Sequence, residues 1–255
     1  MTRIFSVKFR GRPLVIAHRG ACRLAPENTL AAFTAAAELG ADAIELDAKL
    51  TADSQVVVHH DLTLERTTSG RGRLSQWTLA ELEALDAGAH FGARFTGERI
   101  PRLSSVFESL GHRLLINVEL TNYEDPRDWL PRAVVGLVRE WGLERRVLLS
   151  SFNPLALRAA RALAPEIARA LLVEAGQSGA RRWFYRQISP THAIHPQDSL
   201  LRKSGLDSEH ALGRAVHVWT VNDVRRIREL SAWGVDGLIT DIPDVALRVV
   251  NGQPA

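Results

Sequence analysis

The stretch from Leu14 to Asp61 constrains the fold of this chain more than any other part. Leu14–Ala17 is apolar and is soon followed by a glycine, which is typical of a buried strand in a parallel sheet. The next residues predict a helix over 29–39, with Asn28 as its N-cap and Gly40 at its end. A second apolar run comes after the glycine. Strand, helix and strand in this order predict a βαβ unit, whose two parallel strands end at the same edge of the sheet.

The polar residues of this stretch fall where that edge is expected. His18 and Arg19 end the first strand, and the second strand, predicted over 43–47, carries Glu45 and Asp47 with Lys49 just beyond. Because side chains alternate across a strand, the last three residues share one face. The topology therefore predicts that the histidine, the arginine and the carboxylates meet at one edge of the sheet.

The spacing of Glu45 and Asp47 predicts a cation site. Two carboxylates on one face of an otherwise apolar strand repel each other and resist burial. A divalent cation with oxygen ligands relieves both problems. Oxygen ligands suit Mg²⁺ or Ca²⁺, whereas a zinc site would draw on cysteine or on several histidines.

The composition excludes several classes of protein. A single cysteine, Cys22, cannot form an internal disulfide framework, and this fits a reducing compartment. The net charge is +3 and no run of five basic residues occurs, so nucleic acid is not a predicted partner. No apolar run approaches the length of a transmembrane helix, which argues against stable membrane insertion. We therefore expect a cytoplasmic protein.

Short motifs then follow one another in order from Val15 to Pro243, over nearly the whole chain. They are His18-Arg19-Gly20, Pro26-Glu27-Asn28-Thr29, Gly40-Ala41-Asp42, Glu45-Leu46-Asp47, Thr51-Ala52-Asp53, His60-Asp61, Arg66-Thr67-Thr68, Ile100-Pro101-Arg102-Leu103, Glu119, Trp219-Thr220-Val221-Asn222 and Asp236-Gly237-Leu238-Ile239-Thr240-Asp241. In this ordered set the chain resembles the glycerophosphodiester phosphodiesterase family.

The resemblance implies a (β/α)₈ TIM barrel, in one domain over residues 1–255. The remaining sequence fits that fold, because eight predicted strands alternate with helices. The strands are Leu14–His18, Ala43–Asp47, Leu114–Leu120, Val147–Ser150, Ala168–Val173, His192–His195, Ala215–Thr220 and Gly237–Thr240. Val56–His60 is an additional strand beside the second one, and a helix is predicted from Asp125 to Trp141.

Residues 62–99 interrupt the alternation of strands and helices. They are rich in glycine and contain one predicted helix, Leu79–Leu85, which Thr78 and Glu81 open as a capping box. The family has a small insertion at this place, so we expect one here.

The resemblance also implies an activity, the metal-dependent hydrolysis of glycerophosphodiesters to glycerol 3-phosphate and an alcohol. Glu45, Asp47 and Glu119 match the metal-binding carboxylates of the family, for one Mg²⁺ or Ca²⁺ with Mn²⁺ as a further candidate. His18 and His60 match its acid and base. Phosphodiester cleavage needs both roles, because one proton leaves the attacking hydroxyl and another reaches the leaving oxygen.

Other residues carry weaker expectations. Arg19 is predicted to hold phosphate oxygens, and Trp219 and Phe152 to line the mouth of the site, although an aromatic residue in a barrel is also often core. His59 should point away from the site and be structural. Asn28 is fully explained as a helix N-cap.

One position departs from the family pattern. Relatives usually carry a lysine two residues after the third metal carboxylate, where this chain has Thr121. Lys49 shares a strand face with Glu45 and Asp47, so it is predicted to bind substrate and to compensate for the missing charge. The alternatives are that Lys49 pairs with a carboxylate at the rim or reaches solvent.

Two rival functions remain open at this stage. Relatives with the same barrel act on lysophospholipids as lysophospholipase D-type enzymes, and an apolar groove from residues 62–99 or from the Trp183–Tyr185 cluster would favour that substrate. A catalytically inactive barrel that binds a phosphorylated ligand would have lost a carboxylate or a histidine, and here none is lost.

Overall fold

Nine strands and nine α-helices occupy residues 11–254, the part of the chain that the computed structural model describes, apart from the side chains of residues 181–183 and 186. The strands are β1 (Leu14–Ala17), β2 (Ala43–Leu50), β3 (Val56–Val58), β4 (Leu115–Leu120), β5 (Val147–Ser151), β6 (Ala168–Val173), β7 (Ala193–Pro196), β8 (Ala215–Val218) and β9 (Gly237–Thr240). The helices are α1 (Leu30–Glu38), α2 (Leu79–Glu83), α3 (Leu103–Leu110), α4 (Leu130–Glu140), α5 (Pro154–Leu163), α6 (Gly179–Ile188), α7 (Lys203–Ala211), α8 (Val224–Trp233) and α9 (Pro243–Val250).

Eight of the strands close into a parallel barrel. Their order around the barrel is β1, β2, β4, β5, β6, β7, β8 and β9, and β9 pairs back with β1. Helices follow the strands and pack outside them, as the apolar clusters between helices and strands indicate. The predicted (β/α)₈ barrel is therefore confirmed.

The additional strand β3 lies outside the barrel and pairs antiparallel with the end of β2. Because Ala48, Lys49 and Leu50 pair with β3, strand β2 continues to Leu50 instead of ending at Asp47 as predicted. Glu45 and Asp47 consequently lie inside β2, where the next strand along the barrel, β4, fixes their positions. Strand β3 itself ends at Val58, two residues earlier than predicted.

The interior of the barrel changes character along its axis. Near the amino ends of the strands the inward side chains are apolar and buried, and they include Leu14, Ile16, Ala43, Leu115, Leu148, Ala170, Ala193, Ala215 and Ile239. The next inward-facing residue after Ile16 is His18, just beyond β1, and the next after Ala43 is Glu45. Since alternate residues of a strand face the same side, this step from apolar to polar residues puts the chemistry at the carboxyl ends of the strands.

Two helix starts differ from the prediction. Thr29, and not Asn28, caps α1, because Asn28 has a φ of 57° and an N-cap needs an extended backbone. Helix α4 begins at Leu130, and not at Asp125, with Pro131 in its first turn. A proline deeper in the helix would clash with the carbonyl four residues before it.

The insertion packs with β3 and Ile100 around a small apolar core, formed by Val57, Leu64, Leu74, Leu79, Leu82, Ala87 and Ile100. The capping box of Thr78 and Glu81 is present and opens α2. Two 3₁₀ turns, Leu74–Gln76 and Ala93–Phe95, complete the segment.

No helix within residues 11–254 combines the length and the apolar character that crossing a membrane requires. The cytoplasmic location stays a prediction from the cysteine content.

Gly20 makes the turn that aims His18 and Arg19, and replacing it should destabilise the fold. Its φ is 82°, and an added Cβ would lie 2.7 Å from the backbone carbon of Ala32 in α1. We expect Gly20→Ala to lower the free energy of unfolding by about 2–5 kcal/mol, since the left-handed backbone costs about 1–2 kcal/mol and the overpacking about 1–3 kcal/mol.

Gly40→Ala is the matched control for urea unfolding. Gly40 has a φ of 84° but nothing within 4 Å of an added Cβ, so only the backbone cost of about 1–2 kcal/mol applies. Equal losses in the two variants would contradict the packing argument.

Candidate active site

Three carboxylates converge at the carboxyl end of the barrel. Asp47 of β2 pairs with Glu119 of β4 in the parallel sheet. Glu45 lies two residues before Asp47, on the same face of β2. One oxygen of each residue lies within 4.8 Å of the oxygens of the other two. Glu45 and Asp47 are buried and Glu119 is partly exposed. The register of β2 and β4 thus produces an oxygen-lined cluster that could hold a metal ion.

The cluster is electrostatically strained as a set of anions. Burial and then the charges of Asp47 and Glu119 raise the pKa of Glu45 well above its usual value. Burial and the charge of Asp47 likewise raise the pKa of Glu119 to about 8. Hard oxygen donors whose negative charges disfavour one another are the donor set that a divalent cation stabilises, so these residues fit such an ion.

Arg19 is held against the cluster. Its backbone N–H donates to Oε2 of Glu45 at 3.1 Å, its Nε lies 3.4 Å from Oδ2 of Asp47, and its Nη1 donates to Oε1 of Glu27 at 2.8 Å. Although burial opposes the effect, the charges of Asp47 and Glu27 raise the pKa of Arg19. A fixed cation therefore stands beside the carboxylates.

Asn28 contacts the cluster directly, which the sequence analysis did not predict. Its Nδ2 donates to Oδ2 of Asp47 at 2.8 Å, and its side chain is buried. Together with the charge of Arg19, this bond holds the pKa of Asp47 below its usual value, against the effect of burial. The assignment of Asn28 as an N-cap alone was wrong, because asparagine and threonine are both good caps and only the backbone distinguishes them.

Tyr123 orients the third carboxylate and was also missed by the sequence analysis. Its hydroxyl donates to Oε1 of Glu119 at 2.6 Å and accepts from the backbone N–H of Phe152 at 3.3 Å. Although the residue as a whole is 40% exposed, burial around its hydroxyl and the charge of Glu119 raise the pKa of Tyr123 well above its usual value, so the hydroxyl keeps its proton.

His18 is fixed by a carboxylate from the last strand of the barrel. Its Nδ1 lies 2.7 Å from Oδ1 of Asp241, which follows β9, and its Nε2 lies 3.9 Å from Oε2 of Glu45. Burial on its own would raise the pKa of Asp241, but the hydrogen bond and the charge of His18 lower that pKa to about 2. An ionised acceptor at Nδ1 assigns the proton to that nitrogen and leaves Nε2 of the neutral ring as a base facing the carboxylates.

His60, which follows β3, has the same arrangement. Its Nδ1 lies 2.6 Å from Oδ1 of Asp61, and Arg66 in turn donates to both oxygens of Asp61. His59 is buried, with Nε2 3.1 Å from the carbonyl oxygen of Thr63. The structure therefore places His60 at the site and His59 away from it, as the sequence predicted.

An open cavity brings most of the predicted residues together. It is lined by His18, Arg19, Glu45, Asp47, His60, Asn117, Glu119, Phe152, Leu172, Trp219 and Ile239. Trp219 also donates through Nε1 to the carbonyl oxygen of His195 at 2.8 Å. Both aromatic residues predicted at the mouth thus line the cavity, while their contact with substrate stays a prediction.

Lys49 lies beside this cavity and not in it. Its Nζ donates to Oγ1 of Thr121 at 2.9 Å, and both residues line an adjoining groove of about 650 Å³. Lys49 is 8% exposed, and within the described chain no carboxylate oxygen lies within 4.0 Å of its amine. Burial lowers the pKa of Lys49, although Asp47 and Glu119 oppose the effect. Neither predicted alternative, a rim ion pair or a solvent-exposed amine, describes this lysine.

The lysophospholipid alternative rested partly on the Trp183–Tyr185 cluster, and the side chain of Trp183 lies outside the described residues. The insertion does carry exposed apolar side chains, Leu62 and Phe91. Leu62 lines a groove together with Lys49 and Thr121.

Known proteins are similar to this chain over nearly its whole length. A sequence model of the glycerophosphoryl diester phosphodiesterase family matches residues 18–245. The glycerophosphodiester phosphodiesterase of Caldanaerobacter subterraneus subsp. tengcongensis is 38% identical over 240 residues, covering 94% of this chain and 98% of the relative.

Solved structures are similar over the same length. The Oleispira antarctica phosphodiesterase in complex with the product sn-glycerol-3-phosphate superposes with a TM-score of 0.87 at 33% identity, covering 94% of this chain and 97% of that one. The glycerophosphodiester phosphodiesterase of Agrobacterium tumefaciens has a TM-score of 0.77 at 33% identity, covering 92% and 98%. The chain therefore belongs to the glycerophosphoryl diester phosphodiesterase family, a family of phosphoric diester hydrolases.

Proposed function

We propose that this protein hydrolyses glycerophosphodiesters to glycerol 3-phosphate and an alcohol. One observation carries the proposal: three converging carboxylates share a cavity with two histidines, each of which is held at Nδ1 by its own aspartate. The product bound to the similar Oleispira antarctica enzyme is the phosphate ester that such a reaction would release.

The carboxylates Glu45, Asp47 and Glu119 would hold one divalent cation, Mg²⁺, Ca²⁺ or Mn²⁺. When bound, the ion would polarise the phosphate and lower the pKa of the attacking hydroxyl. The burial of the cluster supports this role, because buried carboxylates without a cation disfavour one another.

The two histidines would move the protons. With Nδ1 bonded to Asp241 or Asp61, each ring presents Nε2 to the reaction. One neutral imidazole would take the proton of the attacking hydroxyl, and the other, protonated, would give one to the leaving oxygen.

The remaining cavity residues would hold the substrate. Arg19, fixed against Asp47 and Glu27, would bind phosphate oxygens and stabilise the charge that develops on them. Phe152 and Trp219 would contact the glycerol or the alcohol group, since their rings lie edge to face with centroids 5.6 Å apart at the cavity.

Turnover of glycerophosphocholine tests the proposal directly. We expect glycerol 3-phosphate to be released in the presence of Mg²⁺, Mn²⁺ or Ca²⁺. Comparison with lysophosphatidylcholine tests the lysophospholipase D-type alternative, for which the exposed Leu62 and Phe91 are the supporting observation. A higher kcat/KM for the lysophospholipid would replace the proposal by that alternative.

A barrel that only binds a phosphorylated ligand would turn over neither substrate. All three carboxylates and both histidines are retained, which argues against that reading. Metal-dependent turnover of bis(p-nitrophenyl) phosphate would exclude it without any assumption about the natural alcohol.

Lys49 and Thr121 are predicted to serve one electrostatic role. The 2.9 Å bond between them means that an ammonium group built on either residue would reach the same region beside Asp47 and Glu119. We expect Lys49→Ala to lower kcat/KM roughly tenfold, equivalent to about 1.4 kcal/mol. Thr121→Lys in that background should restore most of the loss.

Lys203→Ala is the matched control for the Lys49 variants, because Lys203 is an exposed lysine that pairs with Asp207 on the surface of α7. It should leave kcat/KM unchanged. If Lys49→Ala also keeps the wild-type kcat/KM, Arg19 and the metal would be the remaining phosphate cations, and the compensation hypothesis fails.

A further inference from the structure

Tyr123 links the carboxylate cluster to the aromatic residues of the cavity. It lies in the loop between β4 and α4, four residues after Glu119, and its hydroxyl donates to Oε1 of that carboxylate at 2.6 Å. The distance is at the short end of the range for O–H···O hydrogen bonds. The bond therefore fixes one oxygen of Glu119.

The other two carboxylates have different holders. The backbone N–H of Arg19 donates to Glu45, and the Asn28 amide donates to Asp47. Both of these carboxylates lie on the central part of β2, where their side chains are buried. Glu119 is more exposed, and the Tyr123 hydroxyl is its hydrogen-bond donor in the described chain. The orientation of the Glu119 carboxylate therefore depends more strongly on a single hydrogen bond than the orientations of Glu45 and Asp47 do.

The ring of Tyr123 makes a second connection. It meets the ring of Phe152 edge to face at a centroid distance of 5.9 Å, and Phe152 meets Trp219 in the same way at 5.6 Å. The Tyr123 hydroxyl also accepts from the backbone N–H of Phe152. The three aromatic rings therefore form a row, in which Phe152 and Trp219 line the cavity and Tyr123 lies at the end next to Glu119.

We propose that Tyr123 is a positioning residue for both halves of the site. Its hydroxyl orients the Glu119 carboxylate for a divalent cation, and its ring sets Phe152 against Trp219 where the substrate enters. The inference rests on the proposed metal site. Hydrogen bonds of this kind to ligating carboxylates typically contribute 10–100-fold to metal affinity or activity.

The first test measures binding of Mn²⁺ alone to the metal-free protein by titration calorimetry. We expect Tyr123→Phe to raise the Kd for Mn²⁺ by roughly 10–100-fold, because the ring remains and only the hydroxyl is lost. Tyr185 is the other tyrosine of the chain and lies on α6, so Tyr185→Phe is the matched control and should leave the Kd unchanged.

Glu119→Gln, measured in parallel, separates the failure of this inference from the failure of the metal site. An unchanged Kd in Tyr123→Phe with a weakened Kd in Glu119→Gln would overturn the role of the Tyr123 hydroxyl alone. An unchanged Kd in both variants would overturn the metal site, and the inference with it.

The second test concerns the ring and uses steady-state kinetics on glycerophosphocholine at saturating Mn²⁺. Tyr123→Leu removes the ring and the hydroxyl, whereas Tyr123→Phe keeps the contact with Phe152. We expect the KM of Tyr123→Leu to exceed that of Tyr123→Phe severalfold, since edge-to-face aromatic pairs contribute about 0.5–1.5 kcal/mol. Equal KM values in the two variants would overturn the role of the ring. Because the Tyr123 side chain is 40% exposed, neither change should prevent folding, and circular dichroism would verify this.

Discussion

Replacing His18 or His60 by alanine is expected to lower kcat by roughly 10²–10⁴, the usual contribution of general acid–base catalysis. Each imidazole is bonded at Nδ1 to an aspartate, Asp241 or Asp61, and lines the same cavity as the carboxylates. Neither residue belongs to the apolar core, so both variants should fold. Steady-state kinetics with saturating metal and circular dichroism would check the two expectations together.

His59→Ala is the control for the histidine variants. His59 is adjacent to His60 in the chain, but it is buried and its Nε2 faces the carbonyl oxygen of Thr63. The change should lower thermal stability by opening a cavity and should affect kcat only mildly in the folded protein. A large loss of kcat in His59→Ala with normal kcat in His60→Ala would contradict the placement of the two rings.

Removal of divalent cations with EDTA is expected to abolish turnover, and Mg²⁺, Mn²⁺ or Ca²⁺ should restore it. A bound cation supplies several kcal/mol of charge stabilisation, and each 1.36 kcal/mol is a factor of ten in rate, so a loss of at least roughly 10²–10³-fold should result. Asp47→Asn should give a comparable loss at physiological metal concentrations, because Asp47 lies between Glu119 and the positive charge of Arg19.

Glu140→Gln is a suitable control for variants of the metal carboxylates. Glu140 ends α4 on the outside of the barrel and is exposed, so its neutralisation should leave turnover and its dependence on metal unchanged. Full activity of the wild-type protein in excess chelator would show that the carboxylate cluster serves a structural purpose.

The meeting of His18 with Glu45 and Asp47 could be predicted from the sequence because it follows from topology. Parallel strands joined by a right-handed crossover end at one edge, whatever the details of packing. The face that Glu45 and Asp47 share follows in the same way from the alternation of side chains along a strand. Local patterns were similarly sufficient for the capping box of Thr78 and Glu81.

Other features depend on contacts between residues far apart in the chain, which no local pattern encodes. Strand β2 extends to Leu50 because β3 pairs with it, and a short apolar run does not reveal its partner. Tyr123 and Asp241 were not predicted as partners of Glu119 and His18. The sequence does not show which of many possible groups a polar loop residue will contact. The sequence contains only weak signals that Asp61 and Asn28 contact site residues. Asp61 follows His60 directly, and Asn28 lies in a motif next to a helix start.

Lys49 illustrates the same limit. The sequence predicted the face on which it lies, since Lys49 follows Glu45 and Asp47 at alternate positions. It could not predict that the amine turns to Thr121, the residue after the neighbouring strand β4, because that contact needs the register of β2 against β4. Comparing kcat/KM of Lys49→Ala with that of the Lys49→Ala, Thr121→Lys double variant tests the role of this pair in catalysis.

A crystal structure of the protein with Mn²⁺ and glycerol 3-phosphate, phased on the anomalous signal of manganese, would show whether the three carboxylates bind a metal ion beside the phosphate of the product. We expect one anomalous peak at oxygen-ligand distances of about 2.0–2.6 Å from Glu45, Asp47 and Glu119. We also expect the phosphate of glycerol 3-phosphate within hydrogen-bonding distance of Arg19 and of at least one of His18 and His60. Manganese bound elsewhere, or carboxylates that bind the product without a metal ion between them, would contradict the proposed site.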